Sequence, residues 1–572
     1  MIKRLIKYNI TNKKTIKIFI LPIFLSLISV FTTTLIPLYF KKIIDYVQIN
    51  KRLSLNLIIW ILFLIILDLT LQIISSYLLR KIGVKIVYNL RVKVSEKILN
   101  LKKHILDQYN HADLANILSN DTAAIFLLIS NSIPELITSI LGIIVIGIVL
   151  INLSLQLSIC LIITVPLVLL IYSLLGKKLA TISLNTQNEL GNLNSQSVFI
   201  TSNNTFIKAN STQYNELNKT KMILKKLKKL GIKQAKINAL ITPILSIILF
   251  LTVLCVVTYG IYLVSIKTLS IGSLIAYLSL VFQIMSPILT LGATYSDIKS
   301  IQGAMERIFL LFDKNIENNK NDEIILNPTS ITFENVSFWY PNEKNKIILE
   351  NINFSIKTGE TIALVGPSGA GKTTLFYLIE KFYSVPKGNI LIDQKNINDV
   401  PINILRKNIG YVSQTFPLLS DTIKNNLIYG NKENISNTEI LEAIKEVNLY
   451  NDLKKFNHGI DTHIGINSEN LSEGQKQRLE IAKILLQKSP ILLLDEITSS
   501  VDALSEEKIV QALNKIKHNK IIFMIAHRLS TVKNADRIIF LEEGKITGVG
   551  KHKELYNTHK LYASFVDTQL KN

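Results

Sequence analysis

Six long apolar runs in the first half of the chain constrain its fold more than any other feature. Each run is close to the roughly 20 residues that an α-helix needs to cross a lipid bilayer. The chain has 48% hydrophobic residues and a mean hydropathy of +0.32, which favours a membrane protein over a soluble enzyme. We therefore predict an all-α, six-helix transmembrane domain over residues 1–316. Its helices are expected at Ile18–Tyr39, Leu55–Leu79, Ile133–Ile151, Leu155–Leu175, Ala239–Val264 and Ile271–Leu291.

Basic residues predict how these helices are oriented, because Lys and Arg are retained on the cytoplasmic side of a membrane. The segment before the first run is basic and contains no acidic residue. The long connections between runs two and three and between runs four and five are also rich in lysine. In the first outer loop Lys41, Lys42, Lys51 and Arg52 conflict with this rule, although two of these side chains can snorkel from a helix end. We expect the N-terminus to lie in the cytoplasm.

Two acidic residues fall within the apolar runs, Asp68 in the second and Glu135 at the start of the third. An ionisable residue inside a membrane span is costly and therefore suggests a functional site. The alternative is that Asp68 pairs with a neighbouring helix and that Glu135 lies at the membrane interface. For Asp68 both interpretations stay open, whereas for Glu135 the interfacial one is preferred.

The net charge of +22 does not indicate nucleic-acid binding, because the sequence contains no base-reading module. Lysines on cytoplasmic loops account for the charge instead. The two cysteines, Cys160 and Cys255, lie in apolar runs, so we expect neither a disulfide nor a metal site from them.

The second half of the chain has a different character. The polar segment 317–330 is predicted to be a linker, and residues 331–572 alternate short β-rich runs with helical stretches, as α/β domains do. The apolar run Thr361–Val365 predicts a buried strand, and a glycine-rich phosphate-binding loop follows it. The glycines let backbone N–H groups turn toward phosphates, and the next helix adds its positive N-terminus. The residues predicted to bind ATP here are Gly366, Ser368, Gly369, Ala370, Gly371, Lys372, Thr373 and Thr374, with the Thr373 hydroxyl also on Mg²⁺.

A second strand, Ile491–Leu494, ends in two acidic residues. We expect Asp495 to hold Mg²⁺ through water and Glu496 to act as the general base that polarises the attacking water. An apolar strand that ends in two acids is common by itself. Paired with a phosphate-binding loop earlier in the chain, it predicts a nucleoside triphosphatase.

The motif LSEGQKQ at residues 471–477 resembles the signature motif of the ABC ATPase family. This resemblance implies further roles, each with a structural alternative. Tyr340 would stack on adenine rather than be only a strand aromatic. Gln414 would bind Mg²⁺ and sense the membrane domain rather than be only a loop amide. Residues 499–502 would form the D-loop, and His527 would contact the γ-phosphate rather than be a core histidine.

The resemblance also implies a dimer, because in this family the signature motif closes over ATP that is bound by the partner subunit. Ser472, Gly474 and Gln475 would therefore complete the site of a second copy of the chain. Glu473 replaces the usual glycine and adds negative charge at that interface. Ile466 and Ser468 stand where exporters of the family usually have Glu and Gly, so the loop that would contact the coupling helices departs from the family pattern.

The order of six spans followed by an ATPase domain resembles the exporter branch of the family. Pro37, residues 272–276 and residues 306–308 are also similar to that branch. The resemblance implies ATP-driven export of a hydrophobic or amphiphilic substrate by alternating access in a homodimer of a bacterial inner membrane. Coupling helices are expected near Asp107–Asp121 and Asn210–Glu216. A lipid flippase, a peptide exporter, and a heterodimer are alternatives, and an ABC protein that acts as a regulator or channel is a less favoured one.

Overall fold

The computed structural model of the protein describes residues 17–317, 326–343, 345–414, 417–431, 435–465, 471–497, 503–526, 528 and 532–571. The chain divides into two compact units. The first comprises the described parts of Met1–Leu101 and Gln108–Lys314, and the second those of Lys102–Asp107 and Asn315–Asn572. A six-residue piece of the first predicted inner loop thus belongs to the same unit as the predicted ATPase domain.

The first unit is helical throughout its regular structure. Its α-helices are α1 (Ile20–Asn50), α2 (Leu55–Leu99), α4 (His111–Asn116), α5 (Thr122–Leu127), α6 (Ile133–Leu153), α7 (Leu155–Ser202), α8 (Asn204–Ala209), α9 (Gln213–Ser265) and α10 (Ile271–Asp313). Helix α3 (Lys103–Leu106) lies in the six-residue piece that belongs to the second unit. Two π-helical turns, π1 (Ile117–Asp121) and π2 (Leu128–Ser132), join α4, α5 and α6 into one continuous helical segment.

Five of the six predicted runs lie wholly in a helix that continues beyond them, and the first, Ile18–Tyr39, begins two residues before α1, which continues past it to Asn50. Helix α9, for example, has 53 residues and would be about 80 Å long at 1.5 Å per residue, far more than a bilayer requires. Among the described residues, five stretches are long and apolar enough to cross a membrane. These are Ile20–Asn50, Leu55–Leu99, Ala112–Leu153, Gln213–Ser265 and Ile271–Leu291. The fourth predicted run, Leu155–Leu175, is helical within α7 but is not among the five, so the sixth span stays a prediction.

The long helices pack in pairs, α1 along α2, α7 along α9, and α6 along α10. Buried side chains of α6, α7, α9 and α10 form an apolar core that includes Ile146, Leu157 and Tyr277. Large apolar side chains such as Trp60 and Phe63 on α2 are exposed. Exposed apolar surface of this extent is expected where helices face lipid.

The second unit contains two β-sheets. One has four strands in the order β2-β1-β4-β5, all antiparallel, and the other has six in the order β10-β9-β3-β8-β7-β6. In the second sheet β6, β7, β8, β3 and β9 are parallel, and β10 is antiparallel to β9. The strands are β1 (Ser330–Phe338), β2 (Leu349–Lys357), β3 (Thr361–Val365), β4 (Lys387–Ile392), β5 (Lys395–Asn396), β6 (Ile409–Val412), β7 (Ile491–Asp495), β8 (Ile521–Ile525), β9 (Arg537–Glu542) and β10 (Lys545–Gly550).

Helices surround these sheets. They are α11 (Lys372–Ile379), α12 (Ile402–Lys407), α13 (Ile423–Ile428), α14 (Asn437–Glu446), α15 (Tyr450–Leu453), α16 (Glu473–Leu486), α17 (Ala503–Ile516), α18 (His552–Thr558) and α19 (Lys560–Lys571). Alternate residues of the central strands enter two separate cores, Ala363 and Val365 of β3 on one face and Ile362 and Leu364 on the other. A parallel sheet that is buried on both faces explains why its strands are continuous apolar runs.

Candidate ATP-binding site

The glycine-rich loop lies between the carboxyl end of β3 and the start of α11, at the edge of the sheet where ligands bind in open α/β folds. Gly371, the N-cap of α11, has a φ of 98°, a left-handed conformation that disfavours side chains. A Cβ atom at Gly371 would lie 2.7 Å from Leu349 Cδ2 and 3.1 Å from the Ile348 carbonyl. The loop can therefore make this turn only with glycine at the position.

Lys372 is buried at the base of the loop, with 7% of its surface exposed. Its Nζ donates hydrogen bonds to the carbonyl oxygens of Gly366 at 2.7 Å and Pro367 at 2.9 Å. Burial lowers the pKa of Lys372, while the nearby carboxylates of Glu496 and Asp495 raise it. The loop thus holds a buried ammonium beside its own backbone, where an anionic phosphate would be stabilised.

Asp495 ends β7 beside this lysine and is 4% exposed. Burial, together with the charge of Glu496, raises the pKa of Asp495 to about 6. The Thr373 hydroxyl lies 3.4 Å from Asp495 Oδ2. A carboxylate that is costly to ionise next to a hydroxyl suits a small hard cation such as Mg²⁺, which takes oxygen ligands and keeps several waters. These two residues therefore fit the predicted metal.

Glu496 follows in a left-handed backbone conformation, with φ of 54°. Its backbone N–H donates to the Ile525 carbonyl of β8 at 3.1 Å, and its own carbonyl accepts from Gln477 Nε2 at 3.1 Å. Gln414 Nε2 donates to Glu496 Oε2 at 3.1 Å. A non-glycine residue in this conformation is strained and persists only where its surroundings hold it, as they do here.

Gln477 is a residue of this site that the sequence did not single out. It lies in α16, the helix that starts at the signature motif, and it is fully buried. Its hydrogen bond to the Glu496 carbonyl connects that helix to the predicted catalytic base. The sequence signal that could have identified Gln477 is a glutamine on the buried face of a helix, because a buried amide requires a polar partner.

Tyr340 lies at the other side of the loop, with its hydroxyl 3.0 Å from Thr374 Oγ1. Its ring packs edge-on against Phe338 at 5.1 Å and Tyr383 at 5.2 Å between centroids. Tyr383 in turn donates a hydrogen bond to Asp107 Oδ2 at 3.1 Å. Burial and the Asp107 carboxylate raise the pKa of Tyr383. Tyr340, which is predicted to stack on adenine, thus contacts Tyr383, and Tyr383 contacts Asp107 in the inner-loop segment Lys102–Asp107.

The signature motif starts α16. Ser472 is the N-cap, and its Oγ accepts a hydrogen bond from the Gln475 N–H at 3.3 Å while its own N–H donates to Gln475 Oε1 at 2.9 Å. This capping box fixes the start of α16. Gly474, which has no side chain, lies in the first turn of that helix. Glu473 forms an ion pair with Lys476 at 2.9 Å, so its charge is partly compensated within the helix.

The loop therefore brings Lys372, Thr373 and Asp495 together, and Gln414 contacts Glu496. Ser368 and Gly369 are exposed in the loop, and Ala370 is buried beneath it. His527, residues 499–502, Ile466 and Ser468 lie outside the described residues, so their predicted roles are not tested.

A phosphate-binding loop, a buried lysine and a paired acidic strand end, joined to helices of membrane length, define a membrane-anchored nucleoside triphosphatase. The family model described as ABC transporter matches residues 349–499, and the model described as ABC transporter transmembrane region matches residues 19–288. The chain belongs to the ABC transporter family. The resemblance predicted from the motifs is confirmed.

Individual relatives agree with this assignment. A multidrug resistance ABC transporter ATP-binding and permease protein of Lactococcus lactis subsp. cremoris is 32% identical, over 87% of this chain and 84% of that protein. An ATP-dependent lipid A-core flippase of Pasteurella multocida is also 32% identical, over 86% and 84%. A solved structure of a bacterial Atm1-family ABC exporter with ATP bound has a TM-score of 0.83 at 25% identity, over 98% of this chain and 99% of that one. The protein is thus a multi-pass, ATP-driven exporter that couples ATP hydrolysis to transport, with a helical membrane domain and an ABC ATPase domain.

Proposed function

We propose that two copies of this chain form a homodimeric pump that binds two ATP molecules and moves a hydrophobic or amphiphilic cargo out of the cytoplasm. The observation that carries the ATP hydrolysis in this proposal is the approach of Gln414 to Glu496, with Nε2 and Oε2 3.1 Å apart, beside the phosphate-binding loop. This contact joins the loop predicted to sense the membrane domain to the predicted base. The N-terminus and the ATPase domain lie on the cytoplasmic side of a bacterial inner membrane, in accordance with the basic inner loops.

Each residue has a role in hydrolysis. The Glu496 carboxylate accepts a proton from the attacking water, and Gln414 orients that carboxylate. Lys372 and the backbone N–H groups of residues 368–374 neutralise the phosphates, and Tyr340 stacks on the adenine. Thr373, Gln414 and Asp495 would hold Mg²⁺, which neutralises charge on the phosphates when bound. His527 contacts the γ-phosphate.

The partner subunit completes each site. Ser472, Gly474 and Gln475 close over ATP that is held by the other copy, so that ATP binding brings the two ATPase domains together. Coupling segments near Asp107–Asp121 and Asn210–Glu216 pass this closure to the membrane helices. Two conformations with different affinities for nucleotide and cargo then perform alternating access.

A lipid flippase is the second candidate function. Its support is the group of relatives named ATP-dependent lipid A-core flippase, of which one is 32% identical. Both functions share the same ATP chemistry, and only the cargo differs.

The first prediction tests the assignment of the base. Glu496→Gln should retain ATP binding but reduce turnover by at least about 100-fold, because the amide cannot accept the proton from water. ATP binding and phosphate release are measured on the full chain in lipid nanodiscs. Glu543→Gln, which alters an exposed-turn glutamate that also has a positive φ of 45°, is the matched control. Turnover close to wild type in the Glu496→Gln protein would contradict the assignment.

A further inference from the structure

A cavity of about 620 Å³ lies in the second unit, where the inner-loop segment Lys102–Asp107 meets the ATPase domain. Its size is typical of small-molecule sites, which range over roughly 300–1,000 Å³. The inner-loop segment, the start of the predicted linker, the end of β1 and the loops on either side of β4 and β5 line it. Neither Tyr340 nor any described residue of the phosphate-binding loop is part of this lining. The cavity is therefore separate from the ATP site.

Four aromatic residues line this cavity, Phe338, Trp339, Phe382 and Tyr383. The rings of Phe338 and Tyr383 pack edge to face with their centroids 5.7 Å apart, and both residues are buried. The Tyr383 hydroxyl also donates a hydrogen bond to Asp107 Oδ2, which fixes its ring. Rings that are held in place favour a flat, unsaturated ligand, because stacking adds to the gain from burying apolar surface.

Lys102 and His104 line the same cavity from the inner-loop segment. Both are half-buried, and within the described part of the chain neither side chain forms an ion pair or a hydrogen bond. Burial and the charge of Lys102 lower the pKa of His104, an effect that Asp107 opposes. At neutral pH the imidazole is therefore mostly uncharged and has one N–H to donate. The pair offers an ammonium and an N–H donor to a ligand.

The other charged residues of the lining are compensated within the ATPase domain. The Glu317 carboxylate accepts two hydrogen bonds from Arg406, at 2.7 Å and 2.9 Å. The Lys381 ammonium donates to two backbone carbonyls, of which that of Asn398 is 2.9 Å away. Burial lowers the pKa of Lys381, and the charge of Asp399 opposes this effect. Among the described residues of the lining, the inner-loop ammonium is therefore the charge that a ligand can compensate.

We propose that this cavity binds a small aromatic anion, with its anionic group at Lys102 and His104 and its ring against Trp339 and Phe382. Charge-assisted hydrogen bonds to the anionic group and stacking on the ring then act together. A ligand in this position touches both the inner-loop segment and the ATPase domain, so it holds one against the other. The site goes beyond the proposed pump, which requires only ATP, Mg²⁺ and cargo.

Trp339 provides a direct readout, because the chain has only two tryptophans and the other, Trp60, lies on α2. In the full chain with Trp60→Phe, purified in detergent, the emission of Trp339 is titrated at pH 7 with three nitrobiphenyl probes. The probes differ only in carrying a carboxylate, a hydroxymethyl or an aminomethyl group, and their nitro group quenches tryptophan. A non-hydrolysable ATP analogue with Mg²⁺ occupies the ATP site. We expect the carboxylate probe to bind at least fivefold more tightly than the other two.

Variants separate the role of the charge from damage to the fold. Lys102→Gln should weaken binding of the carboxylate probe at least fivefold, whereas Lys102→Arg should retain most of the affinity. Lys387→Gln changes an exposed lysine of β4 that does not line the cavity, and it should have no effect. Trp339→Phe leaves Trp60 as the single tryptophan, so it measures quenching by probe that is dissolved in detergent.

Hydrogen–deuterium exchange of the inner-loop segment is the second measurement. The carboxylate probe should slow exchange of the Lys102–Asp107 amides at least twofold, and it should not do so in the Lys102→Gln protein. Equal affinity for the three probes, or unchanged affinity for the carboxylate probe in Lys102→Gln, overturns the inference. Quenching that appears only when the ATP analogue is left out would place the probe in the ATP site and overturn it as well. Each of these results leaves ATP-driven export intact.

Discussion

At the scale of single residues, the left-handed backbone conformation of Glu496 is the main feature of the site. The acidic pair at the end of β7 predicts a metal ligand and a base, and the structure places Asp495 beside Lys372 and Thr373. The left-handed backbone of Glu496 and the support from Gln477 could not be predicted, because no local pattern encodes a hydrogen bond between residues 19 positions apart. Strain at a residue is a property of its surroundings, so it becomes visible only in the fold.

The second prediction concerns Tyr340. Tyr340→Ala should raise the ATP concentration needed for half-maximal turnover while leaving turnover at saturating ATP largely unchanged, because stacking stabilises the bound ground state. Tyr340→Phe is the matched control, since it keeps the ring and removes only the hydroxyl that lies 3.0 Å from Thr374 Oγ1. The measurement is steady-state ATPase activity over a range of ATP concentrations. An unchanged ATP requirement in the alanine variant would place adenine elsewhere.

The third prediction follows from the pKa of Asp495, which burial raises from 3.8 to about 6. A carboxyl whose pKa is higher in the folded state binds more protons there, so it destabilises the nucleotide-free protein increasingly as pH rises from about 4 to 6. Above pH 6 the cost is complete and on the order of 3 kcal/mol, from 1.36 kcal/mol for each pKa unit. Asp495→Asn should therefore raise the melting temperature without nucleotide at pH 7.5 but much less at pH 4.5.

Thermal unfolding of the ATPase domain within the full chain, followed at both pH values, is the measurement. The same variant should lose ATPase activity, because an amide is a poor ligand for Mg²⁺. Equal effects of Asp495→Asn on melting at pH 4.5 and pH 7.5 would show that burial of the charge is not the cause.

At the scale of elements, the sequence predicts where a helix begins to be apolar but not where it ends. The second run was predicted as Leu55–Leu79, whereas α2 continues to Leu99. Hydropathy reports only the part of a helix that faces lipid or core, and the polar continuation has no comparably strong signal. For the same reason the sequence did not show that Lys102–Asp107 belongs to the unit of the ATPase domain.

Helix α12 illustrates a contact between elements that is distant in sequence. Its Arg406 forms a bidentate ion pair with Glu317, at 2.7 Å and 2.9 Å, and its guanidinium lies 4.6 Å from the centroid of Phe382. Burial raises the pKa of the neighbouring Glu380 to about 7, an effect that the charge of Arg406 opposes. The start of the predicted linker is thereby fixed to the ATPase domain.

The fourth prediction is that Arg406→Gln destabilises the ATPase domain by about 2 kcal/mol, since two charge-assisted hydrogen bonds are lost and Glu317 keeps its charge. The loss should be larger at pH 8 than at pH 6. At the lower pH Glu380 is protonated and does not need the guanidinium, and a buried acid with a raised pKa destabilises the fold as pH rises. Denaturant unfolding at the two pH values measures this.

Lys515→Gln provides the comparison for that experiment. Its ion pair with Glu446 is 3.2 Å long but exposed, so its loss should change stability by less than about 1 kcal/mol. Similar destabilisation by both variants would mean that the position of Arg406 between Glu317 and Glu380 has no special effect.

At the scale of the whole molecule, the family and the order of the two domains could be predicted from the sequence because ATP chemistry requires fixed residue types at fixed spacings. The comparisons confirm ATP-driven export. The cargo could not be predicted in the same way, since apolar helices are required in any membrane whatever the protein transports. The structure describes a single chain, so the dimer stays a proposal.

The fifth prediction tests that dimer. One chain carries Lys372, Gln414, Asp495, Glu496 and a nearly complete signature motif, so two identical copies would give two equivalent sites. When an excess of Ser472→Arg chains is co-assembled with wild-type chains, ATPase activity should fall below the value expected if the wild-type chains were only diluted. The reason is that each signature motif serves the ATP site of the opposite chain. Ser436→Arg, at the N-cap of α14, is the control for a serine in a similar capping box. A monomeric chain whose activity returns only with a different half-transporter would contradict the homodimer.

The short segment Lys102–Asp107 has a practical consequence for protein engineering. It is far from the ATPase domain in sequence, yet its Asp107 carboxylate accepts from the Tyr383 hydroxyl, and its Lys103 ammonium lies 5.7 Å from the centroid of Tyr377. A recombinant fragment that starts at residue 315 would therefore expose the aromatic surface that Lys102–Asp107 covers in the full chain. Grafting those six residues onto the fragment through a flexible tether would restore the covering and make a soluble ATPase fragment less prone to precipitate.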